Sequence, residues 1–159
     1  MLSYCLARPH PDFSLCLVSS AEALLRLGFD DLRPEPAWSE DDNHPVFREA
    51  IRQLELYFAG NLRTFDLPLQ LEGTPYQRRV WRALLEIPYG ETRSYRDLAR
   101  SLSPPSVPRA VGQANAANPI GIIVPCHRVI AADGSLGGWY SSHLPLKRFL
   151  LDLEQRIAG

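Results

Sequence analysis

Apolar and polar positions alternate over residues 2–8 and again over 13–19, with the turn-forming run Pro9-His10-Pro11-Asp12 between them. A period of two sends successive side chains to opposite faces, so the pattern predicts a hairpin. Residues 24–29 predict a third strand, and the proline- and acid-rich stretch 33–45 predicts a loop. The period then changes. Val46, Phe47, Ala50, Ile51, Leu54, Tyr57 and Phe58 recur at helical spacing, with Asn43 as the candidate cap, Pro45 in the first turn and Gly60 as the stop. Leu67 and Leu69 continue an alternation from Phe65, as a strand or an extended linker.

Gly73 marks the expected boundary between a first domain, residues 1–70, and a second, residues 74–159. Thr74-Pro75-Tyr76-Gln77 opens a helix: Thr74 can cap, Pro75 suits the first helical position, and Gln77 completes a capping box. Val80, Trp81, Leu84 and Leu85 form its apolar stripe, and Pro88-Tyr89-Gly90 ends it. A short helix over 94–101, a proline-rich turn and a helix over 106–117 follow, which is the layout of a helix-turn-helix module. The last of these helices carries Arg109 and the small residues Ala110, Gly112, Ala114, Ala116 and Ala117. Small side chains allow a close approach, either to DNA or to another helix. Residues 120–124 read as a buried strand-like run, 134–142 as a glycine-rich hairpin or loop, and 144–156 as a closing amphipathic helix.

Charge sharpens this division. Residues 1–73 hold six arginines against twelve carboxylates, a net of −6, whereas residues 74–128 hold eight arginines against three, a net of +5. Such asymmetry suits a polyanion-binding second domain better than a scatter of solvated charges. No apolar run approaches the ~18 residues of a membrane span. The first residues lack a basic start followed by an apolar stretch, so a cytoplasmic location is expected. Three cysteines, at 5, 16 and 126, are too few and too odd in number for a disulfide scaffold. Cys5, His10, Cys16 and His44 have no standard zinc spacing, and no metal is expected. A hairpin pivoting at His10–Pro11 would place Cys5 opposite Cys16.

The chemistry concentrates in Val124-Pro125-Cys126-His127-Arg128-Val129. A thiol attacks as thiolate and needs a base or a positive neighbour. Adjacent side chains point apart, so a water between Cys126 and His127 is easier to place than direct contact. A third group must orient the imidazole, and position alone does not choose it. Taken alone, a neighbouring Cys and His are more often incidental than catalytic.

Several further motifs occur in a fixed order. They are Gly73-Thr74-Pro75-Tyr76-Gln77 with Val80-Trp81, Ile87-Pro88-Tyr89-Gly90-Glu91-Thr92, Ser94-Tyr95 with Leu98-Ala99, Arg109-Ala110-Val111-Gly112, Asn118-Pro119 and Pro125-Cys126-His127-Arg128-Val129. In these the chain resembles the O6-alkylguanine-DNA alkyltransferase family (methylated-DNA–protein-cysteine methyltransferases) over about residues 43–156, densely from Thr74 onward. The resemblance implies an α/β, ribonuclease-H-like N-terminal domain of a small sheet plus helix, joined to a mostly α, winged helix-turn-helix-like C-terminal domain. It implies irreversible transfer of an alkyl group from O6-alkylguanine in double-stranded DNA to Cys126, with O4-alkylthymine a further candidate substrate. His127 would be the water-mediated base, Glu154 its orienting carboxylate and Asn118 a brace for the turn. Tyr95 would touch the flipped guanine and supply a proton. Arg109 would enter the duplex, with Ser94, Tyr95, Ala110, Gly112 and Arg128 also on the DNA side. Val129, Tyr140 and Ser141 would line the base pocket. No cofactor is implied, and the expected state is a monomer, with cooperative binding on DNA left open. The segment 138–143 is one residue longer than the family's usual loop and has Ser142 and His143 where glycines are common.

Three rivals remain in view. A transcription regulator would share the helix-turn-helix but has no use for Cys126 beside His127. Alkyltransferase-like proteins carry Trp at the position of Cys126. A cysteine hydrolase would leave Arg109 and the DNA-binding layout unexplained.

Overall fold

The computed structural model describes residues 1–137 and 144–159, and the chain divides into two units. The first comprises Met1–Glu72 with Pro119–Gly121, the second Gly73–Asn118 with Ile122–Gly159.

In the first unit, β1 (Ser3–His10), β2 (Phe13–Ser19) and β3 (Leu24–Gly28) form an antiparallel meander. A two-residue strand, β4 (Ser39–Glu40), adds in parallel to β1 and gives the sheet order β3-β2-β1-β4. The loop expected over 33–45 thus contains a short strand, invisible to periodicity because two residues show none. The hairpin turns at Pro11–Asp12 and not at His10–Pro11, so Cys5 lies opposite Leu17, and Leu6 opposite Cys16. The one-residue difference separates the two thiols in register. Helix α1 (Pro45–Phe58) lays Val46, Phe47, Ala50, Leu54 and Tyr57 against the sheet. Its cap is His44, whose Nδ1 accepts from the Val46 amide at 3.2 Å, and not Asn43. Gln53 is buried in the same face, and its amide pairs in both directions with the Asp66 backbone, pinning the chain that returns from the helix. Pro119–Gly121 join this unit through backbone hydrogen bonds with Leu27.

The second unit starts as the capping residues dictate. In α2 (Pro75–Leu85) the Thr74 hydroxyl accepts from the Gln77 amide at 3.1 Å while the Gln77 side chain accepts from the Thr74 amide at 2.9 Å. Ser94 caps α3 (Tyr95–Ser101), its hydroxyl accepting from the Asp97 amide at 3.0 Å. Helix α4 (Pro108–Ala116) begins after Val107, and the Trp81 indole donates to the Ala114 carbonyl at 2.8 Å, tying α2 to α4. Two short parallel strands, β5 (Arg93–Ser94) and β6 (Val129–Ile130), bring the start of α3 beside the segment that carries Cys126. Helix α5 (Leu144–Ala158) closes the unit. The run 120–124 is not a strand: Ile120 makes one isolated bridge, and Ile122 turns with φ of 69°. Its apolar character reflects burial of an irregular turn. No helix among the described residues is long and apolar enough to cross a membrane.

Candidate active site

Cys126 opens a single 3-10 turn, Cys126–Arg128, and is fully buried. Three side chains shape the backbone around it. Asn118 donates to the Val124 carbonyl at 2.8 Å, Asn115 to the Cys126 carbonyl at 3.2 Å, and Lys147 to the Val129 and Leu136 carbonyls, each at 2.7 Å. Asn118 therefore braces the turn. Asn115 and Lys147 were not singled out from sequence. Lys147 had a signal, since it shares the buried stripe of α5 with Glu154, seven residues on, where apolar residues are the rule.

His127 is fully buried, and its Nε2 lies 2.7 Å from Oε2 of Glu154. An ionised carboxylate can only accept, so Nε2 carries the hydrogen and Nδ1 keeps its lone pair. Nδ1 is buried and has no hydrogen-bond partner among the described residues. Burial lowers the His127 pKa, Glu154 opposes the shift, and the charges of Arg128 and Lys147 add to it. The imidazole is therefore neutral and basic at Nδ1.

Arg128 departs from its expected place on the DNA side. It is 7% exposed; Nε donates to Oε1 of Glu154 at 2.7 Å, Nη2 to Oε2 at 3.1 Å, and Nη1 to the Ile87 carbonyl at 2.7 Å. Its guanidinium also lies over the Tyr89 ring, 5.6 Å from the centroid. Each of its three nitrogens is committed to one of these inward bonds, and little of the side chain reaches the surface. Burial works to raise the Glu154 pKa, but hydrogen bonds from His127 and Arg128 outweigh it and hold the carboxylate ionised. Glu154 is thus the hub, anchored by Arg128 and orienting His127.

The three thiols sit in different fields. Burial and nearby Asp42 push Cys5 up to about 12, and burial raises Cys16. Cys126 instead has Lys147 as an electrostatic neighbour, and the lysine's own pKa is pulled down to about 8 by burial, with Cys126 opposing. Tyr95 is half-buried, and burial followed by the proximity of Cys126 raises its pKa, keeping the phenol protonated. The Lys147 ammonium lies 5.8 Å from its ring centroid.

Around Tyr95 an open cavity of about 520 Å³ is lined by Pro108, Arg109, Gly112, Gln113 and Ala116. Gly112 faces the ring: a Cβ built on it would sit 3.8 Å from the Tyr95 ring carbons. Arg109 is exposed and Ala110 half-exposed. Ser94 uses its hydroxyl to cap α3, and Val129 is fully buried beside the cysteine turn. Tyr140 and Ser141 lie outside the described residues. Among the described residues no group of three or more His, Cys, Asp or Glu could hold a metal ion.

Residues 75–156 match the model for the DNA-binding domain of 6-O-methylguanine DNA methyltransferase, and residues 11–71 match its ribonuclease-like domain. The chain belongs to the 6-O-methylguanine DNA methyltransferase family. Its relatives include a methylated-DNA–protein-cysteine methyltransferase of Methanosarcina barkeri, 59% identical over 72% of either chain. One of the same name from Mycobacterium tuberculosis is 49% identical over 91% of this chain and 87% of its own. The crystal structure of the M. tuberculosis O6-methylguanine methyltransferase superposes with a TM-score of 0.89 at 46% identity, covering 100% of this chain and 96% of that one. A structure of M. tuberculosis OGT in complex with DNA superposes at 0.88 with 45% identity, covering 98% and 94%. The α/β first unit and the helical second unit agree with the two family domains.

Proposed function

We propose that this family member repairs double-stranded DNA by moving the alkyl group of O6-alkylguanine onto Cys126, acting as a monomer in the cytoplasm. The tautomer of His127 carries the reading. Glu154 fixes hydrogen on Nε2, so Nδ1 is left to take the thiol proton of Cys126 through a bridging water. The thiolate attacks the alkyl carbon in line. A sulfur–carbon bond forms as the carbon–O6 bond breaks, and the electron pair leaves on guanine. Tyr95, protonated beside the cysteine, returns a proton to the departing base. The base must leave the stack to reach a buried thiol, at a cost of roughly a few kcal/mol. Arg109, exposed on α4 at the cavity mouth, takes its place in the duplex.

A thioether is a poor leaving group, so each molecule reacts once. The test is a peptide map after incubation with O6-methylguanine duplex. One methyl per chain on Cys126 is expected, and Cys126→Ala should bind the lesion without accepting it. Stoichiometric methylation of Cys5 or Cys16 in that variant would defeat the assignment.

A further inference from the structure

An apolar tip precedes Arg109. Pro104, Pro105, Val107 and Pro108 are all exposed, and Val107 presents 59% of its surface to solvent. Val107 also occupies the N-cap of α4 without any side-chain cap bond, whereas His44, Thr74 and Ser94 cap their helices. Valine is among the poorest residues at such a position. It neither caps nor packs, so its presence is unexplained by folding.

The tip is held stiffly. The Tyr76 hydroxyl meets the Ser106 hydroxyl at 2.7 Å, Arg79 donates to the Ser103 carbonyl at 3.0 Å while covering the Tyr76 ring, and the Ser106 amide donates to the Ala99 carbonyl at 2.9 Å. Prolines on both sides fix the backbone further. Pro108 and Arg109 then run directly into the cavity that contains Tyr95.

We propose that Val107 is an apolar wedge, which enters the duplex beside Arg109 and holds apart the base step from which the target is extruded. The occupant is a base step of DNA, and the inference rests on the repair reading above. Charge complementarity selects DNA: the tip lies within the +5 segment and immediately precedes an exposed arginine. Phosphates gain nothing from valine and proline. Unstacked base faces do, and minor-groove proteins spread steps with such side chains. A wedge must be stiff to transmit force to a stack, which is what the Tyr76 and Arg79 contacts supply.

Val107→Ser separates this role from a structural one, because serine is a favoured cap. The variant should unfold at the same or a higher temperature. Single-turnover transfer would be measured from a paired duplex lesion, from the same lesion opposite an abasic site, and from free O6-benzylguanine. Expected is a loss of about tenfold on the paired duplex, the factor that burying one valine side chain is worth. Little loss is expected on the other two substrates, with recovery in Val107→Leu and an unchanged salt dependence. A wild-type rate on the paired duplex, or equal losses on all three substrates, overturns the wedge. Failure of the wild-type chain to accept alkyl from the duplex lesion would instead overturn the repair reading, so the two failures are distinct.

Discussion

Replacing Glu154 by Gln tests the centre of the site, and its effect should appear first in stability. Glu154 is 1% exposed and accepts from His127 Nε2 and from two nitrogens of Arg128. A glutamine offers one acceptor and turns an amide NH2 toward a donor, whichever way it is placed. Arg128, 7% exposed, then keeps its charge without a counter-charge. Removing one partner of a buried pair costs about 3–5 kcal/mol, and the retained amide acceptor should hold the loss near the lower figure. That is a large part of a total stability of about 5–15 kcal/mol. Urea unfolding at pH 7 would read it as a lowered midpoint with the same slope. The acid limb gives a second reading. Glu154 has a depressed pKa, so its contribution is present above the ordinary 4.5 and is lost as pH falls below it. His127 is depressed as well, so the unfolded chain binds the proton first and stability declines from about the ordinary 6.5 downward. Glu154→Gln should remove the lower part of this decline and leave the upper part. Free-base transfer should also slow, because the amide no longer stabilises the imidazolium. A Glu154→Gln protein with the wild-type midpoint and wild-type rates would refute the hub.

Arg109→Ala should reduce repair of duplex lesions far more than reaction with a free alkylguanine base; equal losses in single-turnover rates would assign Arg109 to fold or pocket instead. The wild-type affinity for lesion duplex should fall steeply with salt, because the +5 segment displaces counterions, and a flat titration would count against DNA as the partner of that face. Lys147 has a folded pKa near 8 against 10.5, so the unfolded state holds the extra proton in that window and stability should rise from pH 8 toward 10.5. Lys147→Met should abolish the rise in unfolding midpoint and slow transfer at neutral pH, where the lysine's positive charge favours the Cys126 thiolate; an unchanged stability profile would show that Lys147 is not strained by burial.

The parts of the fold that sequence made legible are those whose signal is local. Thr74, Pro75 and Gln77 mark the start of α2 because a capping box is satisfied within four residues, and the period of α1 survives because its whole face meets one sheet. Boundaries set by register or by distant partners were not legible. Nothing near His10 reveals that the hairpin turns one residue later, and Asn43 and His44 can both cap, so choosing between them depends on how the loop arrives. In the site, Cys126 and His127 stand out as a motif, but the role of Arg128 does not. A charged residue beside a reactive cysteine in a basic segment suggests phosphate, and only the arrival of α5 with Glu154 turns it inward.

The residues that escaped sequence reading share one physical duty. The chain from 122 to 129 is buried, yet its regular structure amounts to one 3-10 turn and the start of the two-residue β6, with Ile122 at positive φ. Its carbonyls cannot be left dry without cost, and regular structure is not there to satisfy them. Asn118, Asn115 and Lys147 donate to the carbonyls of Val124, Cys126 and Val129, and Arg128 does the same for Ile87 on the neighbouring turn. These side chains are therefore the local substitute for a hydrogen-bond ladder. Because they reach from α4, the residues just after it, α5 and the cysteine turn itself, the position of Cys126 depends on all of these packing together. The arrangement explains why one thiol of three is set apart. Burial and the acidic groups nearby, Asp42 first, keep the Cys5 thiol protonated up to about 12, whereas Cys126 has Lys147, one of the groups that hold the backbone there, as its electrostatic neighbour.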